Sequence, residues 1–133
     1  RVSQEALSRL SFVTASDFIG MSDEPLIALR QKKGSTIALG VRLLKKKQID
    51  AFISAGNTGA LIASATISLP KLPGITRPAL LAVLPTMTGS IAIVDVGGNV
   101  SSKAHHLLNY AYMGAAYQKC TAGIKTPKVG LLN

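Results

Sequence analysis

The sequence is poor in several residue types, and each shortage excludes a class of function. Its one cysteine, Cys120, excludes an internal disulfide bond and fits a reducing cytoplasm. Because Cys120 lies in an apolar helical run, we expect a buried thiol there rather than a nucleophile. Tryptophan is absent and aromatic residues make up only 5%, so a surface that stacks on nucleic-acid bases is not expected. No apolar run reaches the roughly 18 residues that a membrane-spanning helix needs.

Acidic residues are scarce as well. Six Asp and Glu face 15 Lys and Arg, which gives a net charge of +9. Such an excess suits an anionic partner, such as phosphate, an acidic protein or a membrane surface. The one dense run, Lys45–Lys47, is predicted to be the solvated end of a helix, where cations suit the helix dipole.

Several catalytic signatures are also missing. The chain has no G-x-S-x-G elbow, no H-E-x-x-H pair and no cysteine pair for zinc. It lacks the G-x-G-x-x-G dinucleotide fingerprint and the P-loop lysine. We therefore predict no metal site and no cofactor.

Strand-like and helix-like segments alternate along the chain. Short apolar runs predict strands, and amphipathic runs with polar caps predict helices. Strands 79–84 and 90–96 are separated by too few residues for a helical crossover, so they are expected to pair antiparallel. This order predicts one α/β domain over residues 1–133, with an open sheet. The predicted helices cover 4–10, 25–32, a segment from Ser35, 58–69 and 101–121, and the other predicted strands are 12–15 and 51–54.

The turn Gly56–Gly59 follows the apolar run that ends at Ser54 and begins a helix. A strand that enters a helix through such a turn leaves backbone N–H groups unpaired at the positive end of the helix dipole. Asn57 and Thr58 add hydrogen-bonding side chains without bulk. The turn is therefore a candidate site for phosphate or another oxyanion. The alternative, that its glycines serve only close packing, stays open because G-x-x-G is a weak pattern.

A second turn follows the strand at 90–96 and contains Asp95, Gly97, Gly98 and Asn99. Lys103 falls in the first turn of the next helix, where a cation opposes the dipole unless an anion is bound beside it. The alternative, a Lys103 side chain that points into solvent at negligible cost, stays open. Asp95 lies at the carboxyl end of a predicted buried strand and is either a hydrogen-bonded turn carboxylate or a polar residue of the site. Open α/β sheets bind their ligands at that edge, which favours the second interpretation. His105 and His106 face different directions on a helix and cannot chelate one metal together, but one of them is a candidate to reach the site beside Lys103.

Six motifs in order resemble one bacterial family, the phosphate acyltransferases of phospholipid synthesis. The resemblance covers nearly the whole chain from Ala15, and this segment corresponds to the central part of the longer family members. Gly98 departs from the family pattern, which has alanine there. The motifs are Ala15–Ile19, Ser54–Ala60, Arg77–Ala79, Asp95–Val100, Met113–Gly114 and Val129–Asn133.

The resemblance implies transfer of a fatty acyl group from acyl carrier protein to inorganic phosphate, with no covalent intermediate. It implies a cytoplasmic homodimer with peripheral membrane contact, and a three-layer, mostly parallel sheet with helices on both faces. That Rossmann-like layout, similar to isocitrate and isopropylmalate dehydrogenases, would be incomplete here. For this reaction, our hypothesis assigns catalysis to Asn57, Asn99, Lys103 and Asp95. It assigns phosphate or oxyanion binding to Gly56, Asn57, Thr58, Gly59, Gly97 and Gly98.

Two other classes of function stay open at this point. One is a coenzyme-A- or nucleotide-dependent enzyme on the same layout, related to phosphotransacetylases or dehydrogenases. The other is a basic RNA-binding module with a G-x-x-G loop like the KH clamp. The KH loop joins two helices, whereas this turn follows a predicted strand and carries no basic residue, so nucleic acid is not expected as a partner.

Overall fold

The computed structural model describes residues 3–132 and contains five helices and two strands there. Arg1, Val2 and Asn133, the last residue of the final motif quoted above, lie outside the described residues. The five predicted helices are confirmed, with ends that differ from the prediction by a few residues. The elements are α1 (Gln4–Ser8), α2 (Pro25–Gln31), α3 (Thr36–Lys45), α4 (Thr58–Ser68), β1 (Leu81–Thr86), β2 (Gly89–Val94) and α5 (Ala104–Ala122).

The chain divides into two compact units, Arg1–Leu69 and Pro70–Asn133. The first unit contains the first turn, Gly56–Gly59, and the second unit contains the turn that follows Asp95. Each unit is described by itself below. The prediction that residues 1–133 form one domain stays a prediction.

Helices α2, α3 and α4 build the core of the first unit. Helix α3 begins as predicted at Ser35, whose Oγ accepts a hydrogen bond from the N–H of Ala38 at 3.4 Å. Ile37 and Val41 lie one turn apart on the same face of α3 and are both buried. Ile37 belongs to an apolar cluster that comprises Ile19, Ala28, Ile37 and Ala60.

Two strand predictions in the first unit are wrong. Residues 12–15 and 51–54 form no strand in the structure, and Ile53 is 94% exposed. A strand exists only where a neighbour completes its hydrogen-bond ladder, and no described segment pairs with 51–54. Phe52 instead packs against α3, where its ring occupies the space that a Cβ on Gly40 would need. Among the described residues of this unit, the parallel pairing is one isolated bridge between Asp17 and Ser35.

The second unit is built on a β-hairpin and the long helix α5. Strands β1 and β2 pair antiparallel as predicted, with Leu81 opposite Val94 and Thr86 opposite Gly89. Helix α5 packs against β2. It ends as predicted before Gly123, which adopts the left-handed conformation with φ 66°.

The expectation of a buried Cys120 is wrong, because this thiol is exposed. Buried His106 and Tyr110 lie one turn apart on α5, and Gly114, one turn further, lies against Val94. Cys120 lies in the last turn of α5, beyond these buried residues.

The structure combines helices with a small antiparallel sheet, which is compatible with the α/β prediction. The mostly parallel, three-layer sheet stays a prediction. Within residues 3–132, no helix is both long enough and apolar enough to cross a bilayer.

Candidate functional site

The first turn joins an extended segment to the start of α4. Gly56 has φ 114°, a conformation that favours glycine, and its N–H donates to the Ser54 Oγ at 3.2 Å. Asn57 is the N-cap of α4, and its Oδ1 accepts from the Ala60 N–H at 3.1 Å.

The Asn57 side chain is buried and fully used within the first unit. Its Nδ2 donates to the carbonyl oxygens of Gly20 at 3.2 Å, Met21 at 3.4 Å and Asp23 at 3.2 Å. Together with the cap bond, these contacts occupy both the amide hydrogens and the amide oxygen. Asn57 therefore ties this turn to the segment that contains Gly20, Met21 and Asp23, and neither of its amide hydrogens is left without an acceptor.

Other donors at this turn are the first backbone N–H groups of α4. In the described structure, the N–H groups of Thr58 and Gly59 have no acceptor, as expected for the first turn of a helix. Thr58 is an exposed residue. These donors lie at the N-terminal end of α4, which is the positive end of the helix dipole and the end that stabilises anions.

The glycines of the first turn also serve close packing, which is the alternative that the sequence left open. A Cβ on Gly59 would lie 2.7 Å from the Cγ of Pro25, and one on Gly56 would lie 3.2 Å from the Met21 Sδ. Packing and anion binding are compatible, because the backbone donors of the helix remain free.

At the second turn, Asp95 organises the backbone. Its Oδ1 accepts from the N–H groups of Leu80 at 2.8 Å and Gly98 at 2.9 Å, and its Oδ2 accepts from the Asn99 Nδ2 at 2.9 Å. The Asn99 Nδ2 also donates to the Pro78 carbonyl at 2.9 Å. The side chains of Asp95 and Asn99 therefore tie the turn to the segment that leads into β1.

Burial raises the pKa of Asp95, but hydrogen bonds from the Asn99 side chain and from the backbone of Leu80, Gly98 and Asn99 outweigh it. The net result is a pKa below the ordinary value, so the carboxylate stays ionised and keeps its donors. Space around it is limited, since a Cβ on Gly98 would lie 2.9 Å from the Asp95 Oδ1. Gly97 has φ 110° and is exposed.

Helix α5 begins beside this turn. Lys103 is its N-cap residue, with an exposed side chain, rather than a residue of its first turn. The Lys103 backbone N–H donates to the Nδ1 of the buried His106 at 3.1 Å. His106 therefore contacts the backbone of Lys103. In the described structure, the N–H groups of Ala104 and His105 have no acceptor.

The pKa of His106 is lowered, first by burial and then by the nearby charges of His105, Arg77 and Lys103. A neutral His106 whose Nδ1 accepts a hydrogen bond carries its proton on Nε2. Its role here is to fix the first turn of α5.

Some neighbours of the two turns were not among the predicted site residues. Met21, Asp23 and Pro25 contact the first turn, and the sequence analysis gave none of them a role in the site. Arg77 appeared only within a motif, and the structure shows its Nη1 donating to the Ser101 carbonyl at 3.2 Å. No local spacing rule connects residues more than 20 positions apart.

An open groove of about 840 Å³ borders the second turn within the second unit. Asp95, Asn99 and Ser102 line its polar part. Its apolar walls come from β2, α5 and the extended segment 127–132 and include Ile93, Tyr110, Ala111, Val129 and Leu131.

Comparison with known proteins identifies the protein family of this chain. The chain matches, over residues 1–133, the family described as fatty acid synthesis protein, and it belongs to that family.

Its relatives include several proteins named phosphate acyltransferase. The chain is 48% identical over 126 residues to that of an Exiguobacterium species and 47% over 121 residues to that of Chlamydia pneumoniae. It is 44% identical over 130 residues to that of Thermoanaerobacter pseudethanolicus. These matches cover 94%, 91% and 98% of this chain and 38%, 38% and 39% of the relatives. The chain thus spans about two fifths of the length of the curated relatives it matches, and the resemblance seen in the sequence is confirmed.

Proposed function

We propose that the full-length protein containing this chain transfers a fatty acyl group from acyl carrier protein to inorganic phosphate. The product is an acyl phosphate for phospholipid synthesis. The observation that carries the proposal is the 44–48% identity to proteins named phosphate acyltransferase over at least 91% of the chain. The carrier protein as donor follows from the resemblance to that family.

The reaction makes modest demands on the protein. Phosphate is already an oxygen nucleophile at neutral pH, so no serine or cysteine intermediate is required. A phosphate oxygen attacks the thioester carbonyl carbon, the new C–O bond forms, and the C–S bond breaks. The carrier leaves as a thiolate and then takes up a proton. The protein must align the phosphate with the carbonyl and stabilise the oxyanion between them.

We assign part of this task to the first turn. The Thr58 and Gly59 N–H groups and the Thr58 hydroxyl would bind phosphate or the oxyanion. Gly56 supplies the positive φ that shapes the turn. Asn57 would act by holding these donors in place, since its own amide is fully hydrogen-bonded.

We assign the rest to the second turn. The exposed Lys103 and the N–H groups that follow it would stabilise negative charge, and Gly97 and Gly98 would let a ligand approach the backbone. Asp95 and Asn99 would keep this turn in shape through the hydrogen bonds described above. We also infer that the full-length protein completes a mostly parallel, Rossmann-like sheet with helices on both faces.

Partners follow from charge and from the apolar groove. The net charge of +9 on this chain would attract an acidic carrier protein and speed its association. The groove beside Asn99 and Ser102 offers apolar walls to the hydrocarbon chain of the acyl group. We further propose that the full-length protein is a cytoplasmic homodimer with peripheral membrane contact. This part rests on the family resemblance alone.

A proline substitution tests the backbone donors directly. Thr58 is the first residue of α4, where proline is tolerated, and the extended conformation of Asn57, φ −64° and ψ 128°, is one that precedes proline readily. Thr58→Pro removes the N–H and the hydroxyl, whereas Thr58→Ala removes only the hydroxyl. In acyl-phosphate synthesis by the full-length protein, we expect Thr58→Pro to lower kcat about 100-fold if the N–H serves the oxyanion. A rise in phosphate KM at unchanged kcat would instead indicate ground-state phosphate binding.

The same experiment works at the second turn with Ala104→Pro, because Ala104 is the first residue of α5. Two further measurements test the other classes of function. Acyl-coenzyme A as the donor tests a coenzyme-A-dependent enzyme, and an RNA mobility-shift assay tests an RNA-binding module. If Thr58→Pro and Ala104→Pro both keep wild-type kcat and phosphate KM, the assignment to these helix starts is wrong. If the wild-type protein forms no acyl phosphate from either donor, the proposed activity is wrong.

A further inference from the structure

The loop Gly20–Pro25, called the 20–25 loop here, contacts the first turn but has no role in the proposal above. Asp23 closes this loop on itself. The Asp23 Oδ2 accepts from the Gly20 N–H at 2.8 Å and from the Lys32 Nζ at 2.7 Å, and the Asp23 N–H donates to the Gly20 carbonyl at 3.2 Å. Lys32 is in turn oriented over the Phe18 ring, 5.5 Å from its centre.

The closed loop presents three carbonyl oxygens to one amide group. Those of Gly20, Met21 and Asp23 converge on the Asn57 Nδ2, although their sequence separation from Asn57 is at least 34 residues. The same loop also fits against both glycines of the turn, through Met21 at Gly56 and Pro25 at Gly59.

We propose that Asp23, held by Lys32, is a positioning residue for the first turn. It shapes the loop that orients Asn57, and Asn57 orients the free N–H groups of Thr58 and Gly59. Asp23 would not touch the substrate. The inference rests on the proposed function, because it assigns the oriented donors to phosphate.

The direction in which Asp23→Asn changes phosphate binding distinguishes a positioning role of Asp23 from a purely electrostatic one. Asp23→Asn removes a negative charge, and by charge alone this would strengthen the binding of phosphate. Positioning predicts the opposite, since loss of the Lys32 contact loosens the loop and misaligns the donors. The exposed Asp50 belongs to the same unit, so Asp50→Asn makes the same charge change as a matched control.

The test measures steady-state kinetics of the full-length protein with phosphate and acyl carrier protein varied separately. We expect Asp23→Asn and Lys32→Met each to raise the phosphate KM by about 3- to 30-fold, with the acyl-donor KM within about twofold of wild type. Lys32→Arg keeps the donor to Asp23 and should restore the phosphate KM. The phosphate KM of the double variant Asp23→Asn/Lys32→Met should not exceed that of the more impaired single variant, because both substitutions remove the same interaction.

Hydrogen exchange of the Thr58 and Gly59 amides with and without phosphate is the second readout. We expect phosphate to protect these amides in the wild type and in Asp50→Asn, but much less in Asp23→Asn. A lower thermal midpoint for Asp23→Asn with an unchanged phosphate KM and unchanged protection would overturn the inference while leaving the proposed function intact. Protection that depends on Asp23 in a protein that forms no acyl phosphate would support the inference and reject the function. Phosphate protection absent from the wild type would overturn the inference.

Discussion

Substitutions at Asn57 separate the two structural tasks of its side chain. The Oδ1 caps α4 through the Ala60 N–H, and the Nδ2 holds the 20–25 loop. Serine at this position keeps a good cap but reaches no loop carbonyl, whereas alanine removes both contacts. Asn57→Ser therefore measures the loop contacts alone, and Asn57→Ala measures the loop contacts and the cap together.

The magnitudes follow from the hydrogen bonds. Two amide hydrogens serve three carbonyls at 3.2–3.4 Å, so they count as about two hydrogen bonds of about 1 kcal/mol each. We expect Asn57→Ser to reduce the local free energy of opening by about 2 kcal/mol, which is about a 30-fold loss of hydrogen-exchange protection. Loss of the cap in Asn57→Ala should add about 1 kcal/mol.

Native-state hydrogen exchange on the full-length protein resolves the two effects by residue. The Gly20 amide, which lies in the loop, should lose protection in both variants. The Ala60 amide, which donates to the cap, should lose much more protection in Asn57→Ala than in Asn57→Ser. Changes below about 0.5 kcal/mol at both amides in Asn57→Ser would refute the view that this side chain holds the loop.

Three further outcomes are expected. Gly59→Ala places a Cβ 2.7 Å from a proline ring and should destabilise α4 by about 1–3 kcal/mol, whereas Gly130→Ala, with open space around it, should be nearly neutral in the same thermal unfolding assay. Asp95→Asn exchanges an acceptor for a donor that faces the Asn99 amide and should cost about 1–2 kcal/mol by hydrogen exchange at Gly98; unchanged protection there would contradict the network. His106 has a folded-state pKa below its ordinary value of 6.5, so its unfolded state binds the proton more tightly. Stability should therefore fall as pH drops below 6.5, and His106→Gln, which keeps an acceptor but does not titrate, should lose that dependence.

The helices could be predicted because their signals are local. Ser35 and Asn57 cap α3 and α4, Pro25 begins α2, and Gly123 ends α5. A cap acts within three or four residues of its own position, so the sequence pattern contains all of the interaction. The hairpin was predictable for the same reason, since a short connection leaves antiparallel pairing as the one option.

The failures occurred where distant residues decide the structure. The apolar run before Gly56 has the composition of a strand, but a strand forms only where a partner segment lies beside it. The contacts of Asn57 are similar: the sequence identified it as a polar residue beside a helix start, and could not show that its amide is used by carbonyls 34 to 37 positions away. That difference moves the predicted role of Asn57 from ligand contact to positioning.

The two turns share one structural logic, which favours backbone rather than side-chain recognition of an anion. In each turn an asparagine amide binds carbonyls of a preceding segment, Asn57 to the 20–25 loop and Asn99 to Pro78. In each, the following helix keeps its first N–H groups free. Backbone donors are fixed by the fold and need little reorganisation when charge develops, which is what stabilisation of an oxyanion requires. Substitution of either asparagine should therefore impair an anion site by displacing donors, and proline at the first position of either helix should impair it by removing one.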